Sequence, residues 1–134
     1  MDTSNNTKLS YSQNFLRDRE LVEKLVQKSS LISNDVVLEI GPGKGIITSI
    51  LAKHSKNVLA VEADKDLYTE LKEKFISFPN VEIYYKNFLD FPLPKHEYKV
   101  FSNIPFNITA DIIKKLLDNA NSPADSYLIV QKEA

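Results

Sequence analysis

The 134-residue sequence has no cysteine, no tryptophan and only three glycines. Without cysteine there can be no disulfide and no thiolate metal ligand, and we expect no metal site. No apolar run approaches the ~20 residues that span a bilayer. The first ten residues are polar and lack the apolar core of a secretory signal. These absences favour a cytoplasmic protein that makes no contact with membranes.

The sequence also lacks an excess of charge of either sign. Its 17 basic and 18 acidic residues leave a formal net charge of −1, whereas nucleic-acid-binding domains are commonly basic. Any RNA partner would therefore have to bind local patches or a region outside this sequence. The length suits one domain or part of one. We expect a monomer with a flexible segment over residues 1–10, which are rich in Asn, Thr and Ser.

Strand-like and helix-like patterns alternate about five times along the rest of the chain. Alternation of this kind indicates βαβ units with right-handed crossovers. We therefore predict an α/β fold with a Rossmann-like, mostly parallel sheet of about five strands, in which ligands bind at the carboxyl ends of the strands. The β-branched and apolar runs that predict strands are residues 36–40, 58–62, 81–85, 98–102 and 127–130.

The predicted helices lie between these strands. We expect N-caps at Asp18, Asp64 and Thr109. The helix that follows the glycines is expected to end at Asn57. The expected inward-facing residues of the last two helices are Leu67, Leu71, Phe75, Ile112, Ile113, Leu116 and Leu117.

All three glycines fall within the stretch Glu39-Ile40-Gly41-Pro42-Gly43-Lys44-Gly45, between a predicted strand and a predicted helix. Glycine allows a positive φ and lets a ligand approach the backbone, and the N–H groups at a helix start have no partner within the helix. The Gly-x-Gly-x-Gly spacing differs from the dinucleotide fingerprint, and the Gly-Lys-Ser/Thr of a P-loop is missing. Taken alone, the stretch fits an ordinary tight turn about as well as a ligand site.

Glu62 ends the second predicted strand, downstream of the glycine turn. A carboxylate there can accept hydrogen bonds from both ribose hydroxyls of an adenosine group, although a solvated charge at a strand end is the plain alternative. Together with the glycine turn, Glu62 favours an adenosine-containing cofactor without a required pyrophosphate. S-adenosylmethionine is the obvious candidate, because its methionine carboxylate can lie at a helix N-terminus as a phosphate does.

A second informative stretch, Asn103-Ile104-Pro105-Phe106, follows the fourth predicted strand. The amine of adenine is a poor nucleophile because its lone pair is delocalised into the ring. The Asn103 side-chain oxygen and the Ile104 backbone carbonyl are suitable acceptors for its N–H groups. Phe106 offers a face on which a base can stack, which contributes roughly 1–3 kcal/mol per base. The alternative is a turn at the end of a strand with Phe106 in the core.

Four stretches together resemble the ribosomal RNA adenine N6-dimethyltransferases, and most of all the erythromycin-resistance branch, which modifies large-subunit ribosomal RNA. The resemblance implies S-adenosylmethionine-dependent methylation of an adenine N6 in 23S ribosomal RNA, which confers macrolide resistance. It also implies that Asn103 faces both the methyl donor and the target amine, while Phe106 stacks the adenine. The stretches are residues 12–16, 39–45, 61–64 and 101–109.

The same resemblance implies how the cofactor is held. Asn14 and the Leu16 backbone would close over it from the N-terminal side. Gly41 would contact its methionine part, and Glu62 its ribose. Asn87 stands where the family usually has an acidic residue that contacts the adenine of the cofactor. The carbonyl oxygen of Asn87 can still accept that hydrogen bond.

Members of that family continue past the end of this sequence with more strands and a basic, helical RNA-binding domain. We therefore expect residues 11–134 to be a partial methyltransferase domain, truncated after about five strands, that binds cofactor but methylates RNA poorly. Two other functions stay open: methylation of small-subunit ribosomal RNA, and a non-catalytic cofactor-binding fragment. A dinucleotide-dependent oxidoreductase is a weaker alternative, because the glycine spacing argues against it.

Overall fold

The computed structural model describes residues 19–131. Helices and strands alternate over most of that range, with short 3-10 turns at Phe88–Asp90 and Phe106–Ile108. The helices are α1 (Arg19–Lys28), α2 (Ile46–His54), α3 (Lys65–Lys74) and α4 (Thr109–Leu117). The strands are β1 (Val36–Ile40), β2 (Asn57–Glu62), β3 (Val81–Tyr85), β4 (Lys99–Pro105) and β5 (Asp125–Gln131).

The five strands form one parallel sheet in the order β3-β2-β1-β4-β5, so the predicted α/β class and parallel sheet are confirmed. From β1 the chain builds outward through β2 to β3. It then crosses back and places β4 on the other side of β1. The strand order therefore reverses between β1 and β4, which is the position where sheets of this kind bind ligands.

Alternating side chains along the strands fill two apolar layers, one on each face of the sheet. Leu38 of β1 faces a layer that also contains Ile112 and Leu116 of α4. Val37 faces the other layer, which contains Val22 of α1 and several residues of α2. Burial on both faces explains why β1 and β2 read as nearly continuous apolar runs rather than alternating ones.

The start of α3 is as predicted. The Asp64 side chain accepts a hydrogen bond from the Leu67 N–H at 3.0 Å and caps the helix. Leu71 and Phe75 are buried, whereas Leu67 is half-buried. The helix itself ends at Lys74.

The predicted end of α2 is wrong. Asn57 does not close this helix, because α2 ends at His54 and Asn57 is the first residue of β2. Ser55 has an extended backbone, and its Oγ donates a hydrogen bond to the Leu51 carbonyl at 2.6 Å. A serine hydroxyl therefore satisfies a carbonyl at the end of the helix, and the chain turns directly into the strand.

The predicted end of β4 is also wrong. The strand continues to Pro105 instead of ending at Ser102, because β5 pairs with it residue by residue as far as Pro105 and Gln131. Proline has no N–H to donate to a β-ladder. Because Pro105 is the last residue of β4, its missing N–H interrupts no later hydrogen bond of the ladder.

The orientation of α4 departs from the prediction in two respects. Thr109 is the first residue of the helix and not its N-cap. Ile112 and Leu116 are buried as predicted, but Ile113 and Leu117 are exposed. A helix on a sheet buries a stripe at i and i+4, and the next residue along is turned about 100° away from it.

The predicted flexible segment, residues 1–10, and the predicted cap Asp18 lie outside the described residues. Within the described range, none of the helices combines the length and apolar character needed to cross a membrane.

Gly45 has a packing role that the other two glycines do not share. Its φ is +86°, and a Cβ built on it would lie 2.7 Å from Cε2 of Phe75 and 3.1 Å from Cδ2 of Leu71. The Phe75 ring is itself buried and packs edge-on against Phe78, with ring centroids 4.9 Å apart. Because Gly45 has no side chain, the Leu71 and Phe75 side chains at the end of α3 can pack directly against the start of α2.

We predict that Gly45→Ala lowers the free energy of unfolding by about 2–5 kcal/mol. Left-handed backbone strain of about 1–2 kcal/mol would add to overpacking of about 1–3 kcal/mol. Urea unfolding followed by circular dichroism measures the loss. The matched control is Gly41→Ala, whose φ of +63° brings the strain but whose Cβ meets nothing within 4 Å. Equal losses in the two variants would contradict the packing role.

Candidate functional site

The carboxyl edge of the sheet brings three polar side chains onto one face. Side chains alternate along a strand, so Glu39 of β1 shares a face with Val37, and Glu62 of β2 shares a face with Val58, in the layer covered by α2. Asn103 of β4 lies on the same face by the same alternation. The two carboxyl groups and the amide therefore share one face of the sheet, on β1, β2 and β4, and the strand order reverses between β1 and β4.

The glycine turn has open space in front of it. Gly41 and Gly43 have φ values of 63° and 59°, and a Cβ built on either one would have no atom within 4 Å. The Gly41 N–H donates to the Val61 carbonyl at 2.9 Å, which fixes the turn against β2. Backbone that needs glycine for its conformation, faces open space and begins a helix is suited to direct contact with a ligand.

Glu62 is buried at the edge of this space, with both carboxylate oxygens held by backbone N–H groups. Oε1 accepts from Gly43 at 3.1 Å, and Oε2 accepts from Asp64 at 2.9 Å. The solvated strand-end charge considered from the sequence is wrong, because Glu62 is only 6% exposed. Each oxygen keeps a further lone pair, so a held carboxylate of this kind is able to accept from a pair of hydroxyl groups.

Glu39 is a member of this region to which sequence reasoning assigned no role. It is 2% exposed, and its Oε1 accepts a hydrogen bond from the Thr48 hydroxyl of α2. Burial, reinforced by the negative charge of Glu62 and opposed by the Thr48 bond, raises the pKa of Glu39 to about 8. The signal in the sequence is a carboxyl residue inside the apolar run Val36–Ile40.

The turn after β3 carries Asn87. Its side-chain oxygen accepts a hydrogen bond from the Leu89 N–H at 3.0 Å, so it caps the 3-10 turn. Lys115 of α4 fixes this turn by donating to the carbonyls of Phe88, at 2.6 Å, and Phe91. Burial lowers the pKa of Lys115. The second lone pair of the Asn87 oxygen is the one that a ligand could use.

Asn103 and Ile104 lie within β4, where they pair with Ile129 and Val130 of β5, and not in a turn after it. The Ile104 side chain is 2% exposed in the core, so only its backbone can meet a ligand. Phe106 follows the strand and is 58% exposed. The alternative in which Phe106 belongs to the core is therefore wrong.

Two predicted cofactor contacts, Asn14 and Leu16, lie outside the described residues. Across residues 19–131, no group of three or more His, Cys, Asp or Glu side chains is arranged to hold a metal ion.

Comparison with known proteins gives consistent results. A family model described as ribosomal RNA adenine dimethylase matches residues 4–134. The chain is 44% identical over 131 residues to the ribosomal RNA small subunit methyltransferase A of Mycoplasma mobile, covering 97% of this chain and 51% of the relative. It is 38% identical over 128 residues to an rRNA adenine N-6-methyltransferase of Escherichia coli, covering 95% and 52%.

Solved structures resemble this chain as well. The crystal structure of the 23S rRNA methyltransferase ErmE aligns with a TM-score of 0.77 at 28% identity, over 85% of this chain and 46% of that one. The chain thus spans about half the length of the relatives that it matches.

The buried carboxyl of Glu39 predicts a pH dependence of stability. Its pKa of about 8 in the folded chain lies above its ordinary value of 4.5. The folded state therefore holds a proton that the unfolded state releases, and this contribution is lost as the pH rises through about 8. We predict that the Tm of the wild-type chain falls between about pH 5 and about pH 9. Glu39→Gln, which is neutral at every pH, removes this component.

Thermal unfolding across this pH range, followed by circular dichroism, checks the prediction. Glu82→Gln is the matched control, because Glu82 is an exposed carboxyl residue of β3, and it should keep the wild-type slope. Parallel curves for the wild type and Glu39→Gln would show that Glu39 holds no such proton.

Proposed function

The chain belongs to the ribosomal RNA adenine dimethylase family, and we propose that it binds S-adenosylmethionine and carries the methyl-transfer site of an enzyme acting on the N6 amine of an adenine in large-subunit ribosomal RNA. The observation that carries the proposal is the arrangement at the carboxyl edge of the sheet. An open glycine turn and the held carboxylate of Glu62 lie on one side of the crevice, and Asn103 and exposed Phe106 lie on the other.

The residues on the β1–β2 side fit the cofactor. The open space in front of Gly41 and Gly43 would receive its methionine part, whose carboxylate favours the N-terminal end of α2. Glu62, held by two N–H groups, would accept from the ribose hydroxyls. The Asn87 oxygen would accept from the adenine amine, and Asn14 and Leu16 remain part of the proposal as contacts from the N-terminal side.

The residues on the β4 side fit a flipped adenine. When bound, S-adenosylmethionine supplies an electrophilic methyl group on a sulfonium. Asn103, through its side-chain oxygen, and Ile104, through its backbone carbonyl, would accept from the target amine and orient its lone pair towards that methyl group. Phe106 would stack on the base. Transfer would form the N–C bond and break the methyl–sulfur bond, which would leave a neutral thioether, and the methylated ammonium would release its proton to water. The chain would therefore need to supply position more than a base.

We choose large-subunit ribosomal RNA because of the four motif stretches, residues 12–16, 39–45, 61–64 and 101–109, and because of the similarity to ErmE. Small-subunit ribosomal RNA is the second candidate, favoured by the 44% identity to the small subunit methyltransferase A of Mycoplasma mobile. Transfer of labelled methyl groups to unmodified 23S and 16S ribosomal RNA, assayed side by side, distinguishes the two. The large-subunit proposal includes two further expectations, namely that the enzyme confers macrolide resistance and that it acts in the cytoplasm.

A non-catalytic role in binding the cofactor is the third candidate. It is favoured by the near-neutral charge of the chain. Cofactor binding without methyl transfer to either RNA, by the chain alone and after fusion to the remaining half of a relative, would favour this role.

We predict that Glu62→Ala weakens S-adenosylmethionine binding roughly 10- to 100-fold, because the variant loses charge-assisted hydrogen bonds to the ribose. Isothermal titration calorimetry on the 134-residue chain measures the effect. The control is Glu82→Ala, which removes an exposed carboxylate of neighbouring β3 and should bind like the wild type. If Glu62→Ala binds S-adenosylmethionine with the wild-type affinity, Glu62 is not part of the cofactor site.

We predict that Asn103→Ala lowers methyl transfer at least about 100-fold, a loss typical of removing one transition-state contact, while the fold is retained. The labelled-methyl assay, run on the chain and on the fusion, measures the rate, and circular dichroism monitors the fold. Asn107→Ala is the control, because Asn107 is an exposed amide just beyond the strand. Wild-type transfer rates in Asn103→Ala would mean that the target amine lies elsewhere.

A further inference from the structure

The backbone pairing between β1 and β4 stops before either strand ends. The paired positions are Val37 with Lys99 and Leu38 with Val100. By contrast, β1 stays paired with β2 as far as Ile40. The two central strands of the sheet therefore separate at their carboxyl ends, and this separation opens the crevice.

One side chain bridges the gap where the ladder has stopped. The Ser102 hydroxyl donates to the Ile40 carbonyl at 2.5 Å and accepts from the Ile40 N–H at 3.0 Å. Ser102 has no solvent exposure. A single Oγ thus satisfies both backbone groups of Ile40 on this side, where parallel strands would otherwise use two backbone groups of the neighbour.

The bridge lies directly between the two halves of the proposed site. Ile40 is followed at once by Gly41, the first residue of the glycine turn, and Ser102 is followed at once by Asn103. On its other side, Asn103 is fixed by pairing with Ile129 of β5. Any change in the distance between Ile40 and Ser102 is therefore passed directly to the spacing between the glycine turn and Asn103.

We propose that Ser102 is a positioning residue, whose hydroxyl sets the width of the crevice and so the spacing between the methionine-binding turn and Asn103. This inference rests on the proposed function. Without the hydroxyl, the N–H and the carbonyl of Ile40 lose their partner in a fully buried place, which proteins tolerate poorly. The strands must then close on each other, or a water molecule must enter between them.

The position of the bridge predicts a selective effect on ligand binding. The adenosine part of the cofactor is assigned to Glu62 and Asn87, on β2 and after β3, and this side of the sheet keeps its full ladder. The methionine part is assigned to the open space in front of Gly41 and Gly43, and this turn directly follows Ile40. Loss of the bridge should therefore weaken binding of S-adenosylmethionine but not of adenosine.

The test compares Ser102→Ala with the wild-type chain in calorimetric titrations with S-adenosylmethionine and with adenosine. We expect affinity for S-adenosylmethionine to fall about tenfold and affinity for adenosine to change less than about twofold. A purely structural loss would weaken both ligands equally. The Ile40 amide should also lose protection from hydrogen exchange in the variant.

The matched control is Ser55→Ala. Ser55 is also a buried serine, and its Oγ donates to the Leu51 carbonyl at 2.6 Å, but it lies just before β2, at the opposite end of the sheet. We expect it to lower the Tm without changing the ratio of the two affinities. If Ser102→Ala does not fold, Ser102→Cys takes its place, because a thiol fills the site but hydrogen-bonds weakly, and the same shift in ratio is expected.

The outcomes separate this inference from the proposed function. Unchanged affinities in the folded Ser102 variant, or an equal loss for both ligands, would overturn the positioning role while leaving the cofactor site in place. A wild-type chain that binds neither ligand would overturn the proposed function, and with it this inference.

Discussion

The separation of β1 from β4 beyond Leu38 and Val100 is the constraint on which the rest of the site depends. A parallel sheet leaves backbone groups at its carboxyl edge without strand partners, and a reversal of strand order places a crevice there. On one wall the Gly41 N–H is fixed to β2. On the other wall β4 is held along its whole length by β5. Both walls are therefore fixed by backbone hydrogen bonds, whereas the floor is bridged by the Ser102 side chain.

Glu39 and Glu62, the two carboxyl groups on the face covered by α2, have different surroundings. Glu39 points into the layer under α2, where a hydroxyl is its partner and burial favours the neutral form. Glu62 lies one strand away, where two backbone N–H groups meet its oxygens. Like charges brought close in a poorly solvated place cannot both persist easily. The two carboxyl groups therefore differ in their partners: Glu39 has a side-chain hydroxyl, whereas Glu62 has two backbone N–H groups.

Local signals predicted much of this molecule, and several of the misses share one cause. The strand at Val36–Ile40 and the cap at Asp64 were predictable because an apolar run and a capping side chain both depend on residues that are close together in the sequence. The end of β4, by contrast, depends on pairing with residues 125–131, and the outward turn of Ile113 depends on which side the sheet lies. Glu39 and Ser102 belong to the same class, since their partners lie nine and 62 residues away.

Phe106 shows how the fold can leave free energy for a ligand. Burying a phenylalanine side chain contributes roughly 1.5–3 kcal/mol to folding, and with 58% exposure most of that contribution is absent here. The backbone before the ring is nevertheless held in place, because Phe106 directly follows a strand whose last residue is still paired with β5. Because the ring is exposed, the apolar area that the fold leaves uncovered would be available for stacking on the base in the proposed site.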